Sequence, residues 1–163
     1  MPTIPLDAID LKILGVLQVD AGISNQELAD RVALSPSPCL RRVRRLESSG
    51  VIRRRVALLD AAALGLGLLA YVNVKLDKRQ RDDKGVYAPE SFRAAVLAWP
   101  EVVACHAMTG DIDYLLRVQA RDLDGFSRFV LDHLLRHPAV VDVRSSFALD
   151  RIKETTALPL PGE

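Results

Sequence analysis

The sequence predicts an α+β protein, with an N-terminal winged helix-turn-helix followed by a ferredoxin-like βαββαβ domain. Three observations carry that prediction. Two short, well-capped helical segments lead into an arginine-rich third, Ser35 to Arg55. At Leu68 the apolar spacing changes from helical to strictly alternating. Finally, Trp99-Pro100-Glu101-Val102-Val103 recurs as His137-Pro138-Ala139-Val140-Val141, each a helix stop followed by a strand start. Two βαβ halves in series give a four-stranded antiparallel sheet with both helices on one face. The expected divisions are a winged helix-turn-helix domain over 1–60, a linker over 61–67, a ferredoxin-like domain over 68–155, and a tail over 156–163.

The first helix opens at Asp7, an N-cap residue type, with Asp10 in the first turn and Leu6 and Leu11 placed as a hydrophobic staple. Ile9, Ile13, Leu14 and Leu17 continue its apolar face to about Val19. Asp20-Ala21-Gly22 ends it. The second helix begins with the capping box Ser24–Glu27 and the staple Ile23–Leu28, and Ala33-Leu34 form a tight turn into Ser35. Ser35 is the expected side-chain cap of the third helix, Pro36 its first residue, and Pro38 still lies in the first turn.

Along this third helix Cys39, Val43 and Leu46 form an apolar seat, while Arg41, Arg42 and Arg45 point elsewhere. Arginine matches phosphate and guanine edges, and the major groove admits one helix. Seven of the chain's 22 Lys plus Arg residues lie between 35 and 55, against the single acid Glu47. Val51 to Leu59 is expected to be extended, with Arg53, Arg54 and Arg55 adding phosphate contacts that position without reading sequence. Asp60 to Gly65 reads as a turn or short helical connector.

In the second domain Leu68 to Leu76 is a predicted strand, Asp77 to Tyr87 a charged loop containing Asp82 and Asp83, and Glu90 to Ala98 a helix stopped by Pro100. Val102 to Met108 and Tyr114 to Val118 are strands about the Gly110-Asp111 turn. A helix from about Asp122 to Arg136 and a strand from Val140 to Leu149 complete the repeat. The bare sheet face, assigned Val72, Val74, Val103, Leu116 and Val118, is expected to be covered by a second subunit.

Residues 1–59 carry nine basic and six acidic side chains, a charge of +3, and 60–163 carry 13 and 15, a charge of −2. The basicity is therefore local, and nucleic-acid binding attaches to the first third. Two isolated cysteines exclude a disulfide framework and fit a reducing cytoplasm. The longest weakly polar run, Ala61 to Val74, is too short for a membrane span, so no membrane partner is expected. Cys105 and His106 are adjacent on a strand and face opposite sides, and His133 and His137 lack a ligand set, so neither catalysis nor a bound metal is expected.

Read together, LDAIDLKIL, ISNQELADRVALSPSPCLRRVRRLESSGVI and CHAMTGDIDYLL closely resemble the Lrp/AsnC family of leucine-responsive, or feast/famine, regulators, from Leu6 to about Thr155. The resemblance implies a transcriptional regulator that binds double-stranded promoter DNA. Its dimers would assemble into octamers or related rings, associated with the cytoplasmic nucleoid. It implies no cofactor but an amino-acid effector, leucine or another. It places Ser35, Ser37, Pro38, Arg41, Arg42 and Arg45 at DNA. The effector site, between dimers, would surround Thr109-Gly110-Asp111, with Ala107, Asp113, Leu123, Ser146, Phe147 and Ala148 at positions tied to the leucine response. Backbone N–H groups near Gly110 would receive the carboxylate, and Asp111 or Asp113 the ammonium. The chain departs from the family at Arg54-Arg55, where Gly-Tyr is common, and at Ala107 and Leu123. The alternative is an architectural DNA-compacting protein with little or no effector response.

Overall fold

A computed structural model describes residues 4–81 and 84–161, so Asp82 and Asp83 of the charged loop lie outside the described residues. The chain forms two compact units. One holds the residues up to Leu58 together with the segment from Lys153 onward, and the other runs from Leu59 to Ile152.

The first unit contains α1 (Ala8–Val19), α2 (Asn25–Arg31) and α3 (Pro36–Ser48). Its core is small and aliphatic, built by Ile13, Leu14, Leu28, Ala29, Val32, Cys39, Val43 and Leu46. Both sequence-read starts form as full capping boxes. The Asp7 carboxylate accepts from the N–H groups of Ile9 and Asp10, and the Asp10 carboxylate accepts from the N–H of Asp7 at 3.1 Å. Ser24 and Glu27 do the same for α2. The turn from α2 to α3 forces Ala33 to a φ of 56°, a left-handed conformation that a Cβ disfavours.

Ser35 occupies the N-cap of α3 but makes no side-chain cap hydrogen bond, which corrects the sequence expectation. The reason is the proline pair. Pro36 and Pro38 lack N–H groups, so of the first three helical positions only Ser37 retains a donor. At the other end Gly50 takes φ +77°, and its N–H returns to the Glu47 carbonyl at 3.0 Å. No strand forms over Val51 to Leu59, because a strand needs a ladder partner and none is present among the described residues.

The described part of the segment expected as a tail, residues 156–161, belongs to this first unit. Leu160 packs against its core, and Gln18 holds Leu158 through two hydrogen bonds, donating to its carbonyl at 3.2 Å and accepting from its N–H at 2.6 Å.

The second unit has β1 (Leu68–Leu76), α4 (Ala88–Ala98), β2 (Val102–Ala107), β3 (Tyr114–Ala120), α5 (Leu123–Phe129) with a π-helical turn at Val130–Leu134, and β4 (Val140–Phe147). The strands are antiparallel in the order β2-β3-β1-β4, the ferredoxin-like arrangement. Alternate residues Ala70, Val72, Val74 and Leu76 of β1 and Tyr114, Leu116, Val118 and Ala120 of β3 enter one core with Phe92, Val96, Phe126 and Phe129. Phe92 is its hub, 5.9 Å from Trp99, 4.9 Å from Tyr114 and 5.3 Å from His137 between ring centroids.

That phase corrects the expectation for the bare face. Val72, Val74, Leu116 and Val118 are fully buried in the helix-covered core, and of the predicted set only Val103 is exposed, beside a bulge in β2. The opposite face carries Tyr71, Asn73, Lys75, Leu115 and Arg117 of β1 and β3, because residues one apart on a strand face opposite sides. Among the described residues no helix is long and apolar enough to cross a membrane.

Candidate functional site

On α3 a residue advances by about 100° around the axis. Cys39, Val43 and Leu46 are buried, and the diametrically opposite positions are Ser37, Arg41, Arg44 and Ser48, all exposed. Ser35 is exposed just ahead of them and Pro38 is half-buried.

Arg42 and Arg45 lie on the flank facing the start of α1. Arg42 Nη1 is 2.7 Å from Asp7 Oδ2 and 2.8 Å from Asp10 Oδ1, and Arg45 Nη2 bonds the other Asp10 oxygen. The Asp10 side chain is completely inaccessible, whereas those of Arg42 and Arg45 are 26% and 48% exposed. The N–H groups of Asp10 and Ile9 and the Arg42 guanidinium hold the Asp7 carboxyl below its ordinary range. The same carboxylates raise Arg42. Of the downstream arginines, Arg55 reaches Glu47 at 3.1 Å and the Ala21 carbonyl at 3.4 Å, while Arg53 and Arg54 are exposed.

In the second unit the β2–β3 turn passes through Gly110 at φ +98°, a conformation that suits glycine. Beside this turn is an open cleft of about 240 Å³ lined by Asn73, Lys75, Asp111, Ile112, Asp142 and Arg144. Two cations and two carboxylates share it, with Arg144 Nε 3.0 Å from Asp142 Oδ2.

Asp113 is not part of the cleft. Its carboxylate accepts from the Leu76 N–H at 2.8 Å and pairs with Lys78 Nζ at 2.6 Å, tying the end of β1 to the start of β3. Burial alone would raise this carboxyl, but the Leu76 N–H and the Lys78 ammonium together hold it below the ordinary value.

The nine sequence-predicted effector residues fall into two groups. Ala107, Thr109, Gly110, Asp111 and Asp113 surround the β2–β3 turn, beside the Val74 end of β1. Ser146, Phe147 and Ala148 instead meet Tyr71, Ala70 and Leu69 near its beginning, and Leu123 opens α5 just after Ala120, which pairs with Leu68. Phe147 also packs edge-on to Phe126, 5.1 Å between centroids. The groups are separated by about 13 Å along β1, four residues at about 3.3 Å each.

Sequence reasoning missed Asn73, Lys75, Asp142 and Arg144. The signal was present as polar residues at every second position of β1 and β4. These residues lie on the face opposite Val72 and Val74, which face the helix-covered core.

A helix-turn-helix unit followed by a ferredoxin-like α+β unit is the architecture of a DNA-binding regulator with a ligand-binding domain. Residues 6–53 match the winged helix-turn-helix DNA-binding model, and residues 69–158 match that of the Lrp/AsnC ligand binding domain. The chain is 42% identical over 153 residues to the leucine-responsive regulatory protein of Salmonella typhimurium, covering 94% of this chain and 90% of that protein. It is 42% identical over 155 residues to the DNA-binding transcriptional activator DecR of Escherichia coli, covering 95% and 99%. Among solved structures, a transcriptional regulator from Neisseria meningitidis in complex with L-Met superposes with a TM-score of 0.90 at 50% identity, covering 96% of this chain and 98% of that one.

The chain belongs to the Lrp/AsnC family of feast-famine transcriptional regulators. It is a sequence-specific DNA-binding regulator.

Proposed function

We propose that the protein regulates transcription in the cytoplasm, on the nucleoid, as dimers that assemble into octamers or related rings, with an α-amino acid as effector. Two copies of α3 enter successive major grooves of a pseudo-palindromic site. Ser35, Ser37, Arg41 and Arg44 meet the duplex, and Arg53 and Arg54 neutralise flanking phosphates.

The observation that carries the effector reading is the cleft beside Gly110, where Lys75 and Arg144 stand with Asp111 and Asp142. Such a balanced set suits a zwitterion, the cations for its carboxylate and the acids for its ammonium. The L-Met complex of the Neisseria meningitidis regulator supports an amino acid over other zwitterions. Because Leu123, Ser146, Phe147 and Ala148 lie at the other end of the sheet, they complete the site from a second protomer. Assembly and ligand binding are thereby coupled.

The test is a thermal-shift screen of the 20 amino acids on the full chain, followed by footprinting with those that bind. At 100 times its dissociation constant a ligand stabilises the folded state by about 2.7 kcal/mol. The expected result is a rise in Tm with one or a few amino acids, a changed footprint, and loss of both in Lys75→Ala/Arg144→Ala. A protein that compacts DNA identically with and without every amino acid overturns this reading in favour of an architectural role.

A further inference from the structure

The basic character of α3 does not describe what its arginines do. Two carboxylates at the start of α1, Asp7 and Asp10, and four guanidiniums on α3 together decide which guanidiniums are free. Arg42 and Arg45 sit 60° apart around the helix, on the flank toward α1, where Asp7 and Asp10 supply two carboxylates for two guanidiniums. Asp10 is inaccessible to solvent and uses one oxygen for each arginine, while its second oxygen also accepts from the Asp7 N–H. Burial keeps water from this carboxylate, and three charged or backbone donors fill three of its roughly four lone-pair sites, so it holds both partners in fixed directions.

We propose that Asp10 is a positioning residue for DNA recognition: it draws Arg42 and Arg45 inward, fixes the rotation of α3 about its axis, and leaves Arg41 and Arg44 as the guanidiniums that meet the duplex. The inference rests on α3 being the helix that enters the groove. It assigns the seam between α1 and α3 a part in specificity. Turning α3 by one residue's worth of rotation would exchange Arg41 and Arg44 for Arg42 and Arg45 at the DNA, and the buried carboxylate opposes that exchange. It also converts a helix with four arginines into one presenting two, which lowers the sequence-independent affinity that every added phosphate contact brings.

The salt dependence of binding counts these contacts, with log K falling by about 0.9 per neutralised phosphate for each unit of log salt. The probes are a duplex enriched by the wild-type full-length protein from a random-sequence library and an unselected duplex of the same length. Asp10→Asn keeps the side-chain shape but removes the charge that holds two guanidiniums. Its slope on the unselected duplex should steepen by up to about 1.8 per protomer, and its preference for the enriched duplex should fall at least tenfold. An unchanged slope together with unchanged preference overturns the proposal. A merely structural role for Asp10 would weaken binding without steepening the slope.

The second arm leaves the wild-type chain intact. Phenylglyoxal modification read by mass spectrometry should find Arg41 and Arg44 reactive in the free protein and protected by the enriched duplex. Arg42 and Arg45 should be slow to react in both states. Fast reaction of Arg42 and Arg45 that DNA suppresses overturns the proposal even if Asp10→Asn fails to fold. Absence of DNA protection anywhere on α3 removes instead the underlying reading of α3 as the recognition helix.

Discussion

The two compact units solve the same problem of cohesion with different materials. The second unit has a sheet to pack against and fills one face with aromatic rings, Phe92 touching Trp99, Tyr114 and His137. Among the described residues the first has three short helices and eight buried apolar residues, none aromatic. Across its α1–α3 seam, ion pairs stand where a larger domain would place more hydrocarbon. A small core gains little from area alone, and directed charge pairs add geometry that non-directional burial lacks. In the arginine-bearing unit, the seam between α1 and α3 is set by charge pairs on a buried carboxylate.

Core truncations should break this contrast most strongly. Phe92→Ala removes a fully buried ring and should cost about 3–5 kcal/mol, and Leu46→Ala in the helical unit about 2–5 kcal/mol. Trp99, the only tryptophan, belongs to the second core, so its fluorescence during denaturation reads that unit. Phe92→Ala should move the fluorescence midpoint. Leu46→Ala should leave it in place while the helical circular dichroism falls earlier. Identical shifts by both probes in both variants would show that the two cores unfold as one.

The charge pair of the second unit offers a sharper comparison. The folded-state pKa of Asp113 is depressed, so its contribution is complete above the unfolded value near 4 and is lost as pH falls through the folded value. Lys78 is raised, chiefly by its hydrogen bond to Asp113, so its contribution is complete below its unfolded value near 10.4 and disappears only as pH rises through the folded one. Asp113→Asn should cost roughly 1–2 kcal/mol at neutral pH, a range that allows for the exposed lysine end. The difference from wild type should shrink as pH drops below about 4. A difference constant from pH 7 to pH 2 would mean that the carboxylate charge contributes nothing.

The smallest effect should have the opposite sign. Ala33 holds a left-handed φ in the turn before α3. Relief of that conformation by glycine, about 1–2 kcal/mol, exceeds the added freedom of the unfolded chain, about 0.4–1 kcal/mol. Ala33→Gly should therefore stabilise the helical unit by about 0.5–1 kcal/mol, visible as a later loss of helical circular dichroism. Destabilisation would indicate that the Ala33 methyl makes a contact worth more than the strain.

Much of this architecture is readable along the chain because its signals are local. Capping at Asp7 and Ser24 depends on residues three positions apart, and the bounds of α1 and β1 follow from apolar spacing within each segment. Strand phase was harder. Leu68 to Leu76 has apolar residues at both parities, Leu69 and Tyr71 against Val72 and Val74, so alternation alone leaves the covered face undecided. Placing the helices on the Val72 side settles it, and then exposes Asn73 and Lys75 as part of the cleft.

For α3, the sequence by itself determined a helix with an apolar seat, a proline start and a concentration of arginine, since each follows from neighbours within one turn. It also determined the order βαββαβ, through a repeat of helix stops and strand starts. Only the tertiary structure decided which arginines are free. Asp10 and Arg45 are 35 residues apart, and charge patterns along a chain carry no record of which carboxylate will meet which guanidinium once helices pack. The return of Leu158 and Leu160 to α1 and the core of the first unit was equally hidden, because a contact across 140 residues rests on shape fit and not on local spacing.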